Sequence, residues 1–95
     1  MRSAILLALG VLGACTTARP MVHGETPGHT CNAAGAENFI GQSGNSETGA
    51  AIMRATHAAV LRWAPPGYML TMDYRADRVT VRLDEARKIL SINCG

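Results

Sequence analysis

The chain is 95 residues long, with 9 Lys and Arg against 7 Asp and Glu, a net charge of +2, and 47% hydrophobic residues. That length allows one small domain, and a charge so close to balance is too small to imply nucleic acid or an anionic membrane surface as a partner.

The N-terminus reads as an export signal. Arg2 supplies a positive start, and the apolar run from Ala4 to Leu12 is too short to span a bilayer. The run leads into Leu12-Gly13-Ala14-Cys15, an aliphatic residue and two small ones before a cysteine. This has the shape of a lipobox, with residues 1–14 as the signal and Cys15 as the acylated new N-terminus. An ordinary signal peptide cut after Ala18 is the alternative, because Thr16-Thr17-Ala18 is also small. Both imply export. With Thr16 rather than an acid after the cysteine, the expected address of a bacterial lipoprotein is the outer membrane and periplasm, held by lipid at Cys15; free secretion is the alternative.

Residues 15–30 mix Thr, Pro, Gly and His without apolar periodicity and read as a flexible tether, with the domain spanning 31–95. His23 and His29 in this stretch lack a carboxylate to fix them as ligands and read as polar linker residues, so no metal is expected. In an exported chain with three cysteines, use of Cys15 by lipid or its removal leaves Cys31 and Cys94 as a pair. In an oxidising compartment these are expected to bond. Closing about 64 residues would stabilise a domain this small by about 4 kcal/mol on the chain-entropy estimate.

Within the domain, Phe39-Ile40-Gly41-Gln42 is a short apolar segment stopped by Gly, and Ser43 to Ser46 is a turn cluster. Ser46 is the expected N-cap, with Glu47 as a first-turn acid. Ala51, Ile52, Ala55, Ala58 and Ala59 recur at helical steps, predicting a helix from Glu47 to about Ala58 with His57 near its end as a partner for the helix dipole. A face so rich in alanine must lie close to its sheet. Val60-Leu61-Arg62-Trp63 predicts a strand stopped by Pro65-Pro66-Gly67. Val79, Val81 and Leu83 alternate with Arg78, Thr80 and Arg82 as a half-buried strand. Asp84 to Lys88 is a polar turn, and Ile89-Leu90-Ser91-Ile92 a last edge strand. Arg82 and Arg87 read as solvated. The two main strands are joined by Ala64 to Asp77, without hairpin chemistry; a connection that long in a small domain is usually functional.

The connection carries a pattern. Gly67, Thr71, Met72, Asp73, Tyr74, Arg75, Asp77, Arg78 and Val79 fall at the spacing of the reactive-site loop of the potato inhibitor I family, which this stretch resembles. The chain is more similar still to the elastase-inhibitor family (peptidase inhibitor family I-seventy-eight) over Cys31 to Gly95, sharing its Phe39-Ile40-Gly41-Gln42 segment and its Cys94-Gly95 ending. The resemblance implies an α+β fold with one helix packed on a small mixed sheet, two parallel strands and a long exposed reactive-site loop. It also implies a monomer that inhibits a serine protease. Met69, Leu70, Thr71, Met72, Asp73 and Tyr74 would form the substrate-like loop, with the scissile bond between Met72 and Asp73. Met72 would fill an elastase-, chymotrypsin- or subtilisin-like pocket, and Arg78 would support Thr71 and Asp73 from below. Where many potato-type members have a second supporting arginine this chain has Thr80, which cannot make a charge-assisted contact.

The competing expectation is an envelope lipoprotein that keeps the fold as a binding module and blocks no protease. An enzyme is not expected, because no Ser/His/Asp spacing, acid pair or Gly-rich phosphate loop is present.

Overall fold

A computed structural model describes residues 24–95. The expected signal, the lipidation site Cys15 and His23 lie outside the described residues.

The elements run in the order expected from sequence, with one addition. A 3-10 helix, Ala33–Phe39, precedes the α-helix α1 (Ser46–Thr56), followed by β1 (Val60–Ala64), β2 (Arg78–Leu83) and β3 (Ile89–Cys94). The sheet order is β1-β2-β3, with β2 parallel to β1 and antiparallel to β3. A parallel neighbour has to be re-entered from the end at which the first strand began. Residues 65–77 therefore run back along the sheet, and that is why the connection is long.

The helix is capped one residue earlier than expected. Asn45, not Ser46, is the N-cap, its side-chain oxygen accepting from the Thr48 N–H at 2.8 Å. Glu47 occupies the first turn as expected. At the other end His57 takes a left-handed C-cap conformation, φ 67°. The Thr56 carbonyl accepts from the Asn32 N–H at 2.9 Å, and the His57 carbonyl lies 3.0 Å from His29 Nδ1. His57 thus acts through its backbone at the cap, and His29 is a packing partner of the helix end.

Gly49, Ile52 and Thr56 are the buried face of α1, so the alanines contribute less than the pattern implied. The close approach expected of a small-residue face is made instead by two glycines. A Cβ on Gly49 would stand 2.9 Å from Trp63 Cζ2, and one on Gly44 would meet Leu83 Cδ2 at 2.6 Å. The core joins Ile52 and Ala58 to Val79, Val81, Leu83 and Ile89, with Leu61, Trp63, Met53 and Phe39 packed at its margin.

The sheet's second face departs from the expected half-burial. Arg78 and Thr80 are only 8% and 6% exposed, because the returning connection and the chain end cover them; of the polar positions on β2, Arg82 alone is open. Arg87 sits in the expected turn before β3 and donates to the Gly44 carbonyl at 3.1 Å.

Cys31 and Cys94 are bonded, with Cα atoms 5.7 Å apart. The bridge ties the segment before the 3-10 helix to the end of β3. Reduction is expected to lower stability by about 4 kcal/mol, the loop-closure contribution. Thermal unfolding with and without strong reductant checks it; an unchanged midpoint would show that the core holds the fold unaided.

Candidate functional site

The connection between β1 and β2 begins with a tight turn. The Tyr68 N–H donates to the Pro65 carbonyl at 3.0 Å, and Gly67 supplies the positive φ of 82° that the turn needs after Pro66. Beyond it the chain is exposed. Met69 is 86% exposed and Met72 99%, with Tyr68 and Tyr74 also open and Leu70 half-buried. Large apolar side chains left this open lose the free energy of burial and need a reason outside the fold.

Met72 is free, but its neighbours are not. The Thr71 hydroxyl donates to Asp73 Oδ1 and accepts from Arg62 Nη1 at 3.1 Å. Arg62 Nε reaches Thr80 Oγ1 at 3.3 Å, and that hydroxyl donates to the Gly95 carbonyl at 2.9 Å. The same carbonyl accepts from Arg78 Nε at 3.0 Å, and Arg78 Nη2 donates to the Asp73 carbonyl at 2.6 Å. Arg78 Nη1 also lies 3.8 Å from Asp73 Oδ2. The contacts close a ring through Thr71, Arg62, Thr80, Gly95, Arg78 and Asp73, with Met72 projecting from its outer edge. Both residues flanking Met72 are held by guanidinium groups, each a charge-assisted contact of the stronger kind.

Of the residues expected from sequence, the structure brings Thr71, Asp73 and Arg78 together, with Arg78 reaching Asp73 and not Thr71. Arg62 was not expected. It lies on β1 opposite Thr80 in the parallel register, so both side chains share the face turned to the connection. A second guanidinium thus reaches the loop from the adjacent strand, and Thr80 links it to Gly95. The alternation of Arg62 with Leu61 and Trp63 is the signal that could have found it, once a parallel β2 was assumed.

A second anchor holds the end of the connection. Asp77 is 1% exposed; it accepts from Arg75 Nε and Nη2 at 3.0 and 3.1 Å and from Thr26 Oγ1 at 2.7 Å. Its carbonyl accepts from the Ala59 and Val60 N–H groups at 2.8 and 3.1 Å, stitching the exit of the connection to the entry of β1. The Cys31 N–H donates to the Ala76 carbonyl at 2.9 Å. Contacts to the domain therefore begin before Cys31, within the stretch read as tether. A Cβ on Gly24 would lie 2.7 Å from Arg75 Cβ and 2.8 Å from Asp77 Oδ1, so Gly24 lets the chain pass close over this pair.

The electrostatics follow the contacts. The Thr71 hydroxyl, with lesser help from Arg78 and Arg62, holds the Asp73 carboxyl below its ordinary value. The Arg75 guanidinium, then the Thr26 hydroxyl, hold Asp77 down to about 2, and Asp77 in turn raises Arg75.

The framework thus presents Met72, an exposed apolar side chain, between two residues hydrogen-bonded to it. Residues 31–95 match the peptidase inhibitor I78 family, and the chain belongs to that family. The structure is similar to that of the elastase inhibitor AFUEI, with a TM-score of 0.50 and 30% sequence identity over 62% of this chain and 81% of that one. No curated protein matches the sequence. The protein is an inhibitor-family domain rather than an enzyme.

Asp77 gives a pH test. Its depressed value means that the contribution is complete above the unfolded-state value of about 3.9 and is lost as the pH falls through that range towards the folded value of about 2. The urea midpoint of the parent is expected to drop between about pH 5 and pH 2. Asp77→Asn should be less stable at neutral pH and fall less steeply over the same range. Parallel curves for the two proteins would mean the Arg75–Asp77–Thr26 cluster does not stabilise the fold.

Proposed function

We propose that the domain inhibits serine proteases by offering Met69 to Tyr74 as a substrate-like strand, with Met72–Asp73 as the scissile bond. The observation that carries this is the contrast at Met72: a fully exposed side chain between two residues tied to the framework. Loop residues Met69, Leu70 and Thr71 would lie along the enzyme as an added strand, and Met72 would enter the primary pocket. A flexible, unbranched apolar side chain suits pockets of the elastase, chymotrypsin and subtilisin kinds. The description of AFUEI as an elastase inhibitor supports the same choice for this chain. The arrangement is read as a reactive-site loop of the potato inhibitor I kind.

An extended peptide bound this well would ordinarily be cut and released. The ring offers a reason it is not. After attack on Met72, the new amine at Asp73 remains fixed by Arg78 through the Asp73 carbonyl, while Arg62 keeps Thr71 in place. The leaving group stays where it can re-form the bond. A loop ordered before binding also loses less entropy on association. We further propose an exported, monomeric lipoprotein held by Cys15, a reading that rests on the lipobox-like run Leu12-Gly13-Ala14-Cys15.

A panel of purified serine proteases titrated with the soluble domain tests the reading. Stoichiometric loss of an elastase-, chymotrypsin- or subtilisin-like activity is expected. Met72→Lys should move inhibition towards trypsin-like enzymes by at least about tenfold, since the anchor alone enters the pocket. Met72→Lys and Met72→Gly variants that both inhibit like the parent would place the contact elsewhere.

A further inference from the structure

The exposure that suits Met72 to a protease pocket also opens its sulfur to solvent. We propose that Met72 is an oxidation site, and that its sulfoxide disarms the loop without disturbing the fold; this rests on the inhibitory reading above. Met72 is 99% exposed and Met69 86%, whereas Met53 is partly buried against the core. Among the described residues no neighbour covers the Met72 side chain, and the Thr71 and Asp73 side chains beside it are engaged with each other and the arginines below. Thioether oxidation follows access, so the two loop methionines are the ones to react first among the described residues.

The oxidant is a peroxide. The Met72 sulfur lone pair attacks one peroxide oxygen and the O–O bond breaks as the S–O bond forms. Sulfur gives up two electrons, and with hydrogen peroxide the second oxygen leaves as water. The product carries a strong S–O dipole where the pocket is apolar, and burying that dipole without a hydrogen-bond partner opposes binding. The ring needs nothing from Met72, so the loop and the core remain as they were. The consequence is an inhibitor that weakens where peroxide is abundant while staying folded.

Hydrogen peroxide treatment of the exported, mature chain tests this, using a protease that the untreated protein inhibits. Peptide mass spectrometry follows each methionine with time, and inhibition constants and melting temperatures are taken before and after. Met72 and Met69 are expected to oxidise ahead of Met53. The parent's inhibition constant should rise about tenfold to a hundredfold with its melting temperature unchanged. Each variant is compared with itself: Met72→Leu, which keeps only the Met69 thioether in the loop, should weaken much less than the parent, and Met69→Leu should weaken as the parent does. A Met72 sulfoxide that binds as tightly as the thioether overturns the proposal and leaves the inhibitory reading standing. Equal weakening of Met72→Leu, or oxidation of Met53 first, also overturns it. If the untreated protein inhibits no serine protease, the inhibitory reading fails, and the oxidation proposal with it.

Discussion

The Gly95 carbonyl is the fixed point on which the exposed loop depends. It accepts from Arg78 Nε and from Thr80 Oγ1, and the Gly95 N–H donates to the Arg78 carbonyl at 2.8 Å. One oxygen therefore sets the orientation of the Arg78 guanidinium on one side and, through Thr80, that of Arg62 on the other. Those two guanidiniums in turn hold Asp73 and Thr71. A hydrogen bond to a charged group contributes about 1.5–3 kcal/mol where its partner is desolvated, and Arg78 is nearly buried. The loop above has little apolar packing to order it, so these contacts decide its conformation.

Much of the remaining framework keeps that oxygen in place. Cys94, the neighbour of Gly95, is bonded to Cys31, and the Cys31 N–H donates to the Ala76 carbonyl just before the loop rejoins the sheet. The Tyr74 ring lies against Gly95, 3.0 Å from where a Cβ would stand, so a side chain there would press on the loop. Asp77 locks the same end to the start of β1. The disulfide thus acts beyond its effect on the unfolded chain: it joins the loop's exit to its support. The small core, with α1 drawn close to Trp63 by Gly44 and Gly49, provides the rigid sheet from which both arginines project.

The order of elements was legible because it rests on local signals. Alternation in Val79, Val81 and Leu83, helical spacing around Ile52, and the Pro65-Pro66-Gly67 stop are all readable within a few residues. The cysteine pairing followed from arithmetic and the expectation of an oxidising compartment. What escaped notice depends on partners distant in sequence. Arg62 gains its role only when β1 lies parallel to β2 in the register that sets it beside Thr80. Asp77 looks like a turn residue until Arg75 and Thr26 close on it, and Thr26 belongs to a stretch with no periodicity. The 3-10 helix Ala33–Phe39 has a single buried residue, Ala36, so it lacks an amphipathic stripe to betray it. Asn45 and Ser46 are both good caps, and which one caps depends on where the Gly41–Gly44 segment, tied to Ile89 and Arg87, delivers the chain.

If the ring exists to keep the two sides of the Met72–Asp73 bond together, the cut and intact chains must interconvert on a protease. The direct measurement starts from protein cleaved at that bond, adds a catalytic amount of an inhibited protease, and follows the intact chain by mass spectrometry. The parent should re-form the bond and reach the same cut-to-intact ratio as a sample that began uncut, whereas Arg78→Ala, folded but lacking the Asp73 contact, should drift to the cut form from either side. A cleaved parent that never re-forms the bond, or an Arg78→Ala protein that re-forms it equally well, would contradict the account.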